Sequence, residues 1–391
     1  MMKALSIILI PIIAIFFFIF GTGGAMLVAT NGHGTFGIPL IIIFCLGTLI
    51  LYTIAVLDLL SSKKLRIVSV GFFGSIALAL ISYVAFDSYQ ESITIADGRG
   101  VDLKEYEPFS SDMVAELDGP ATLSLTENLP RLDGATALYP IYSAFVQATY
   151  PEDDYDVNSP GNSPVVSTQT DAAYERLIAK NADIIFVAGP SATQETMAEQ
   201  AGVEMRFTPI GKEAFVFFTH EQNPVESLTI DQIQQIYAGT ITNWSEVGGA
   251  NNQIRAFQRP EESGSQTALQ NLMGDIPIMD APTEDRPAGM GGIIQETADY
   301  RNSQSSIGFS FRYFSTEMVD DYDIKHLQVN GIDPNVDTIR DDSYPIASEF
   351  YAVTLAGEET PEVDALIEWI LSPEGQTLVE RSGYVPVGAT E

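Results

Sequence analysis

The stretch QRPEESGSQTAL, Gln258 to Leu269, gathers one arginine, three hydroxyl side chains, two amides and a glycine into twelve residues. These residue types suit three kinds of chemistry: nucleophilic attack by a serine, metal ligation, or capture of an anion. A G-x-S-x-G elbow needs glycine two places before the serine, where Glu261 or Ser263 stands here. His220 and His326, the histidines that follow the apolar amino-terminal region, lie in no glycine-rich or acidic motif, so a serine triad has no visible base. Calcium is suggested by Asp154, Asp156 and Asn158, but Ser159 replaces the loop glycine and Val165 the closing glutamate, which favours a polar turn. No histidine and cysteine cluster supports zinc, and no cysteine follows Cys45, so a thiolate nucleophile and disulfides are excluded beyond it.

Anion capture fits better. Helix amino termini present unpaired N–H groups and partial positive charge, and small hydroxyl residues there let an oxyanion approach closely. The chain has three such starts: Gly134 to Thr136, Ser167 to Thr170, and Ser263 to Thr267. Arg259, four residues before Ser263, can fork onto two oxygens of one anion.

The elements that must position these starts follow from periodicity. ALYPIYSAFVQATY repeats its apolar residues at three and four, and DAAYERLIAKN reads as a second helix before the buried strand ADIIFVAG. EAFVFFTH is a strand, TIDQIQQIYAG a helix with a threonine start and a glycine stop, and PEVDALIEWILSPEGQTLVERSG one or two helices. Strands alternating with helices predict an α/β fold with largely parallel sheets, and about 270 residues exceed what one core holds, so two lobes are expected.

Ahead of this lies a different composition. Lys3 is the only charged residue before Asp58, and apolar runs cover Ala4 to about Leu27, about Phe36 to Leu57, and Ile67 to Phe86. Each is near the ~20 residues that cross a hydrocarbon layer as a helix. A cleaved signal peptide would be followed by a polar chain, whereas two more apolar runs follow here. Lys63, Lys64 and Arg66 lie between the second and third runs, which predicts three membrane helices within residues 4–86, a cytoplasmic amino terminus and an extracytoplasmic remainder. That remainder holds 51 of the 52 acidic residues and 15 of the 19 Lys and Arg, which argues against a nucleic-acid or anionic-lipid partner.

LDGATALYPIYSAF, IYAGTITNWSEVGG, RPEESGSQTAL and SSIGFSFRYF together resemble the phosphate-binding proteins of ABC-type phosphate importers, over roughly residues 118–391. The resemblance implies a two-lobed periplasmic-binding-protein-like clamshell of type II, here preceded by the three membrane helices. From the residues themselves, 1–86 read as anchor and 87–117, which lack sustained periodicity, as stalk; the resemblance implies 118–209 with 345–391 as lobe one and 210–344 as lobe two. Its ligand positions fall on Ala135, Thr136, Ala137, Thr170, Arg259, Ser263, Gly264 and Ser265. The aspartate with which the family accepts the proton of phosphate aligns with Ala188, leaving Glu262 and Asp171 as the nearest carboxylates for that role. The implied function is extracytoplasmic capture of inorganic phosphate, or a related tetrahedral oxyanion, for an ABC permease. No catalysis, cofactor or metal is expected. A membrane receptor sensing phosphate and a phosphoester hydrolase are the alternatives.

Overall fold

The computed structural model describes residues 11, 14, 34–93, 101–280, 294, 303–319 and 323–387. It divides into two compact units, Met1–Ile93 and Thr94–Glu391.

In the first unit, α1 (Gly34–Val56) and α2 (Ser62–Ile93) each contain a window long and apolar enough to cross a membrane, Pro39–Val56 and Ser62–Ser82. Their large side chains, among them Ile42, Leu46, Ile50, Val70 and Leu78, are exposed, as a lipid-facing surface requires. Three hydroxyls fold back on their own helices: Thr48 and Thr53 donate to the carbonyls of Phe44 and Leu49, and Ser75 to that of Phe72. The first of the three expected spans lies outside the described residues, apart from Pro11 and Ala14.

The second unit is mixed α/β. Its first strand, β1 (Leu132–Gly134), leads through a tight turn at Thr136–Leu138 into α3 (Tyr139–Thr149). After α4 (Thr170–Ile178) come β2 (Ile184–Val187), α5 (Ala192–Ala201) and the long β3 (Met205–His220). Next are β4 (Ser227–Leu228), α6 (Ile230–Tyr237), β5 (Arg255–Ala256), α7 (Gly264–Met273) and β6 (Ser306–Phe311). The chain continues through β7 (Ile324–His326), β8 (Gln328–Val329), α8 (Val336–Arg340) and β9 (Ala347–Leu355). It closes with α9 (Pro361–Ile370), α10 (Pro373–Arg381) and β10 (Val385–Pro386).

The main sheet has the order β1-β2-β9-β3-β6-β5, with β7 and β10 also paired to β3. Contrary to the largely parallel sheet expected, it is mixed. β1 with β2 and β5 with β6 are parallel, while every pairing made by β3 and β9 is antiparallel. The cause is the sixteen-residue β3, which serves two halves of the sheet. Its residues from Met205 to Ala214 pair with β9, and those from Phe215 to His220 pair with β6 and β7. A strand that leaves one half and a strand that returns to it must run in opposite directions. The predicted strand EAFVFFTH is only the second half of β3; Pro209 and Gly211 interrupt the strand pattern of the first half. The register of β3 against β9 shifts between those two residues, a bulge that tolerates a proline inside a sheet.

Residues 101–117 are not a free-standing stalk. Val101, Leu103, Tyr106 and Val114 are buried in the core. The Ser143 hydroxyl donates to the Tyr106 carbonyl, and the Phe109 N–H donates to Gln147 Oε1 at 2.8 Å. Lack of periodicity marked this segment as irregular, which it is, but irregular backbone still buries its apolar side chains where a core offers a surface.

Candidate functional site

The amino-terminal starts singled out in the sequence converge on one cleft. Ala135, Ala137, Thr170 and Gly264 line its inner end, together with Leu138, Ala188, Glu213 and Tyr384. Gly264 opens α7 and Thr170 opens α4, and a Cβ on Gly264 would stand 3.0 Å from Thr170 Oγ1, so only glycine lets these helix ends meet without displacement. Thr136 is buried in the turn before α3.

The helix caps separate this cleft from the rest of the fold. Away from it, Ser191 and Thr229 close capping boxes on α5 and α6, and Thr360 and Ser372 cap α9 and α10. At the cleft, the turn at Thr136 and the start of α4 have no side-chain cap. Their first N–H groups are left to a partner from outside the helix. Gln169, immediately before α4, holds φ 73 and ψ 168, a strained conformation for a residue with a side chain. Ser263 does cap α7, accepting from the Gln266 N–H at 3.3 Å.

Arg259 is the decisive residue. It is only 6 % exposed, and among the described residues its Nε and Nη1 have no hydrogen-bond partner. Burial pushes its pKa down to about 10, opposed by the charge of Asp171, so it remains a cation at neutral pH. A buried, unpaired guanidinium is costly unless an anion completes it. Its backbone is held rigidly, its N–H donating to Gln266 Oε1 at 2.9 Å. Ser265 Oγ, fully buried in the first turn of α7, likewise has no partner among the described residues.

The two carboxylates considered as proton acceptors lie in different settings. Asp171 is exposed on the first turn of α4 and acts on Arg259 through its charge. Glu262 is half-buried, its Oε2 accepting from Ser191 Oγ at 3.4 Å. Ala188 lines the cleft, and its carbonyl accepts from the Tyr174 hydroxyl at 2.9 Å.

Two contributors were not singled out in the sequence. Asp133 is wholly buried behind the first two starts and accepts from the Gly134 N–H, the Thr168 N–H and hydroxyl, and Arg176 Nε at 2.7 to 2.8 Å. It sits inside the quoted LDGAT motif, but nothing in sequence shows that Arg176, 43 residues on, returns to it. Glu213, on β3, is the second. Its carboxylate accepts from the N–H groups of Ala214 and Tyr313 and lies 3.5 Å from Arg312. Burial pulls its pKa up to about 7, against the Arg312 charge and those two donors. Arg312 in turn donates to the Gly383 carbonyl at 2.6 Å, tying together three segments where β3 passes between the halves.

The residues weighed for other chemistry lie elsewhere. Asp156 makes a local turn, accepting from the Asn158 N–H at 3.0 Å. His326 Nε2 meets Ser315 Oγ at 2.8 Å, but that hydroxyl also bonds the carbonyls of Phe311 and Arg312, and neither residue lines the cleft. Burial and the Arg312 charge push the His326 pKa down to about 4. Because the folded pKa lies below the unfolded one, this histidine's contribution to stability is complete above pH ~6.5 and is lost as pH falls towards 4. His326→Gln, which cannot titrate, should remove roughly 2–3 kcal/mol of acid destabilisation in that window. Urea midpoints at pH 4.5, 5.5 and 7.5 test this, and parallel pH curves for both proteins would refute it.

A profile of the PBP superfamily domain matches residues 126–374, more than half of the chain and the cleft lining apart from Tyr384. The chain belongs to the PBP superfamily. Among curated relatives, the phosphate-binding protein PstS of Borreliella burgdorferi is 26% identical over 186 residues, 46% of this chain and 65% of that protein. PstS of Bacillus subtilis is 24% identical over 265 residues, 66% of this chain and 80% of that protein. A crystal structure of a phosphate ABC transporter substrate-binding protein with bound phosphate, from Clostridium perfringens, superposes with a TM-score of 0.50 at 22% identity. It covers 68% of this PBP chain and 100% of its own. That likeness shows the fold: mixed α/β and periplasmic-binding-protein-like.

Proposed function

We propose that the protein is an extracytoplasmic solute-binding protein that captures phosphate, or a similar tetrahedral oxyanion, and presents it to an ABC permease without catalysing a reaction. The observation that carries this reading is Arg259, buried and unpaired among the described residues beside the start of α7. The uncapped starts at Thr136 and Thr170 and the free Ser265 hydroxyl supply neutral donors around that charge. In this reading the ligand set is Ala135, Thr136, Ala137, Thr170, Arg259, Ser263, Gly264 and Ser265, with backbone N–H groups at the alanines and glycine. The curated PstS relatives, named for phosphate binding, support the choice of anion. Phosphate needs a carboxylate or carbonyl to accept its proton, and Asp171 is the carboxylate whose charge already reaches Arg259. Lobes bounded as 118–209 with 345–391, and 210–344, close about β3 and β9 as a type II clamshell. Equilibrium dialysis of the full-length protein against radiolabelled phosphate should give one bound ion per chain, and no saturable binding would refute the function.

The second half of the reading is topology. Three membrane spans within residues 4–86 place Lys63, Lys64 and Arg66 inside and the PBP domain outside. The two apolar helices α1 and α2 support an anchor. Protease added to intact protoplasts should therefore release the acidic domain and spare the Ser61–Arg66 segment at the start of α2. Protection of the acidic domain would overturn the orientation and the capture role together.

A further inference from the structure

The cleft does not end at the anion corner. Past Gly264 it opens into a second compartment between α7 and β9, and Ala188, Gly264, Phe311, Ser348 and Glu349 line both spaces. The outer compartment is edged by Thr267, Ala268 and Asn271 on α7 and by Ser348, Glu349 and Tyr351 on β9. Arg259 and Ser265 are not among the residues that line either space, whereas Gly264, next to Ser265 in the chain, lines both. The outer walls mix hydroxyl, amide and carboxylate groups with the apolar Ala268 and Leu272. Glu349 is oriented by the Tyr351 hydroxyl, which donates to its Oε2 at 3.3 Å. Glu349 lines both spaces, and its carboxylate can accept from hydroxyl groups of a neutral substituent. Ala188, with a small side chain, lines both compartments.

We propose that the preferred ligand is a phosphoryl group bearing a short hydroxylated organic substituent, with the phosphoryl oxygens at Arg259 and the substituent between α7 and β9. This rests on the reading of the Arg259 corner as an oxyanion site. The substituent's hydroxyls meet Glu349, Ser348 and Asn271, and its carbons lie on Ala268 and Leu272. Asn271, Ser348 and Glu349 are exposed at the rim of this compartment, so their contacts add affinity next to the anchor without a second anchoring charge.

Glycerol 3-phosphate and orthophosphate, titrated in parallel into the full-length protein in detergent micelles, test the proposal. Glycerol 3-phosphate should bind at least tenfold more tightly. Asn271→Trp fills the outer compartment from an exposed helix position, and it should abolish that tenfold advantage while orthophosphate affinity stays within twofold. Ala268→Phe, acting one turn earlier, should do the same. Equal or tighter binding of orthophosphate by the unaltered protein, or an advantage that survives both substitutions, would overturn the inference and leave the oxyanion reading standing. Absence of binding by either compound would overturn the oxyanion reading itself and the inference with it.

Discussion

Replacing Arg259 with alanine is expected to weaken phosphate binding by about 2–5 kcal/mol, the range for truncating one member of a buried charge pair. The bound oxyanion would keep its hydroxyl and N–H donors but lose the buried countercharge that Arg259 supplies. Arg259→Lys should recover part of the loss, since it restores charge without the planar fork that meets two oxygens at once. The ligand-free fold should respond in the opposite direction. Arg259 is buried with Nε and Nη1 unpaired among the described residues, so its removal relieves a desolvated charge, and the unliganded melting temperature should hold or rise. Phosphate should then no longer raise that temperature, because the stabilisation by ligand follows its affinity. A folded Arg259→Ala protein with unaltered phosphate affinity would show that the anion sits elsewhere.

The second large effect is expected at Asp133, which touches no ligand. Its buried carboxylate is met by Arg176 and by three donors from Gly134 and Thr168, and these hold the first two anion-binding starts against each other. Asp133→Ala removes the partner of Arg176 Nε, which keeps its Nη2 bond to the Asn181 carbonyl, and leaves the buried Gly134 N–H unsatisfied, and should cost about 2–3 kcal/mol of stability. Denaturant midpoints measure this. Because Gln169 is strained in the segment that Asp133 anchors, the substitution should also lower phosphate affinity at temperatures where the fold persists. Asp133→Asn keeps acceptor capacity for part of the network and should fall between the two proteins. A loss below about 1 kcal/mol, the scale of a single neutral hydrogen bond, would mean that the network is solvated in solution.

How much of this was legible beforehand differs by element. Helices with strong caps announced themselves. Thr229 and Gly239 bracket α6 as their residue types predict, and the apolar spacing of α3 matches its buried face of Ile141, Tyr142, Phe145 and Val146. The helix starts facing the cleft were legible from their small hydroxyl residues, and the structure leaves two of them, at Thr136 and Thr170, without a side-chain cap. Long-range facts were not legible. Local breakers at Pro209 and Gly211 hid the continuity of β3, and with it the antiparallel crossing that makes the sheet mixed. Asp133 and Arg176 meet only because β1 and α4 pack together, and Glu213 meets Arg312 only because β3 lies beside β6. The burial of residues 101–117 was hidden too, since it depends on a core built from residues far along the chain.

The most direct test is a crystal structure of the protein grown with arsenate, a heavier tetrahedral oxyanion whose anomalous signal locates it without ambiguity. The account predicts one peak at the inner end of the cleft, with an oxygen within hydrogen-bond distance of Arg259 Nη1 or Nε and another meeting Ser265 Oγ or the N–H groups at Thr136 and Thr170. A cleft without anomalous density at saturating arsenate, or a peak elsewhere with Arg259 still unpaired, would contradict it.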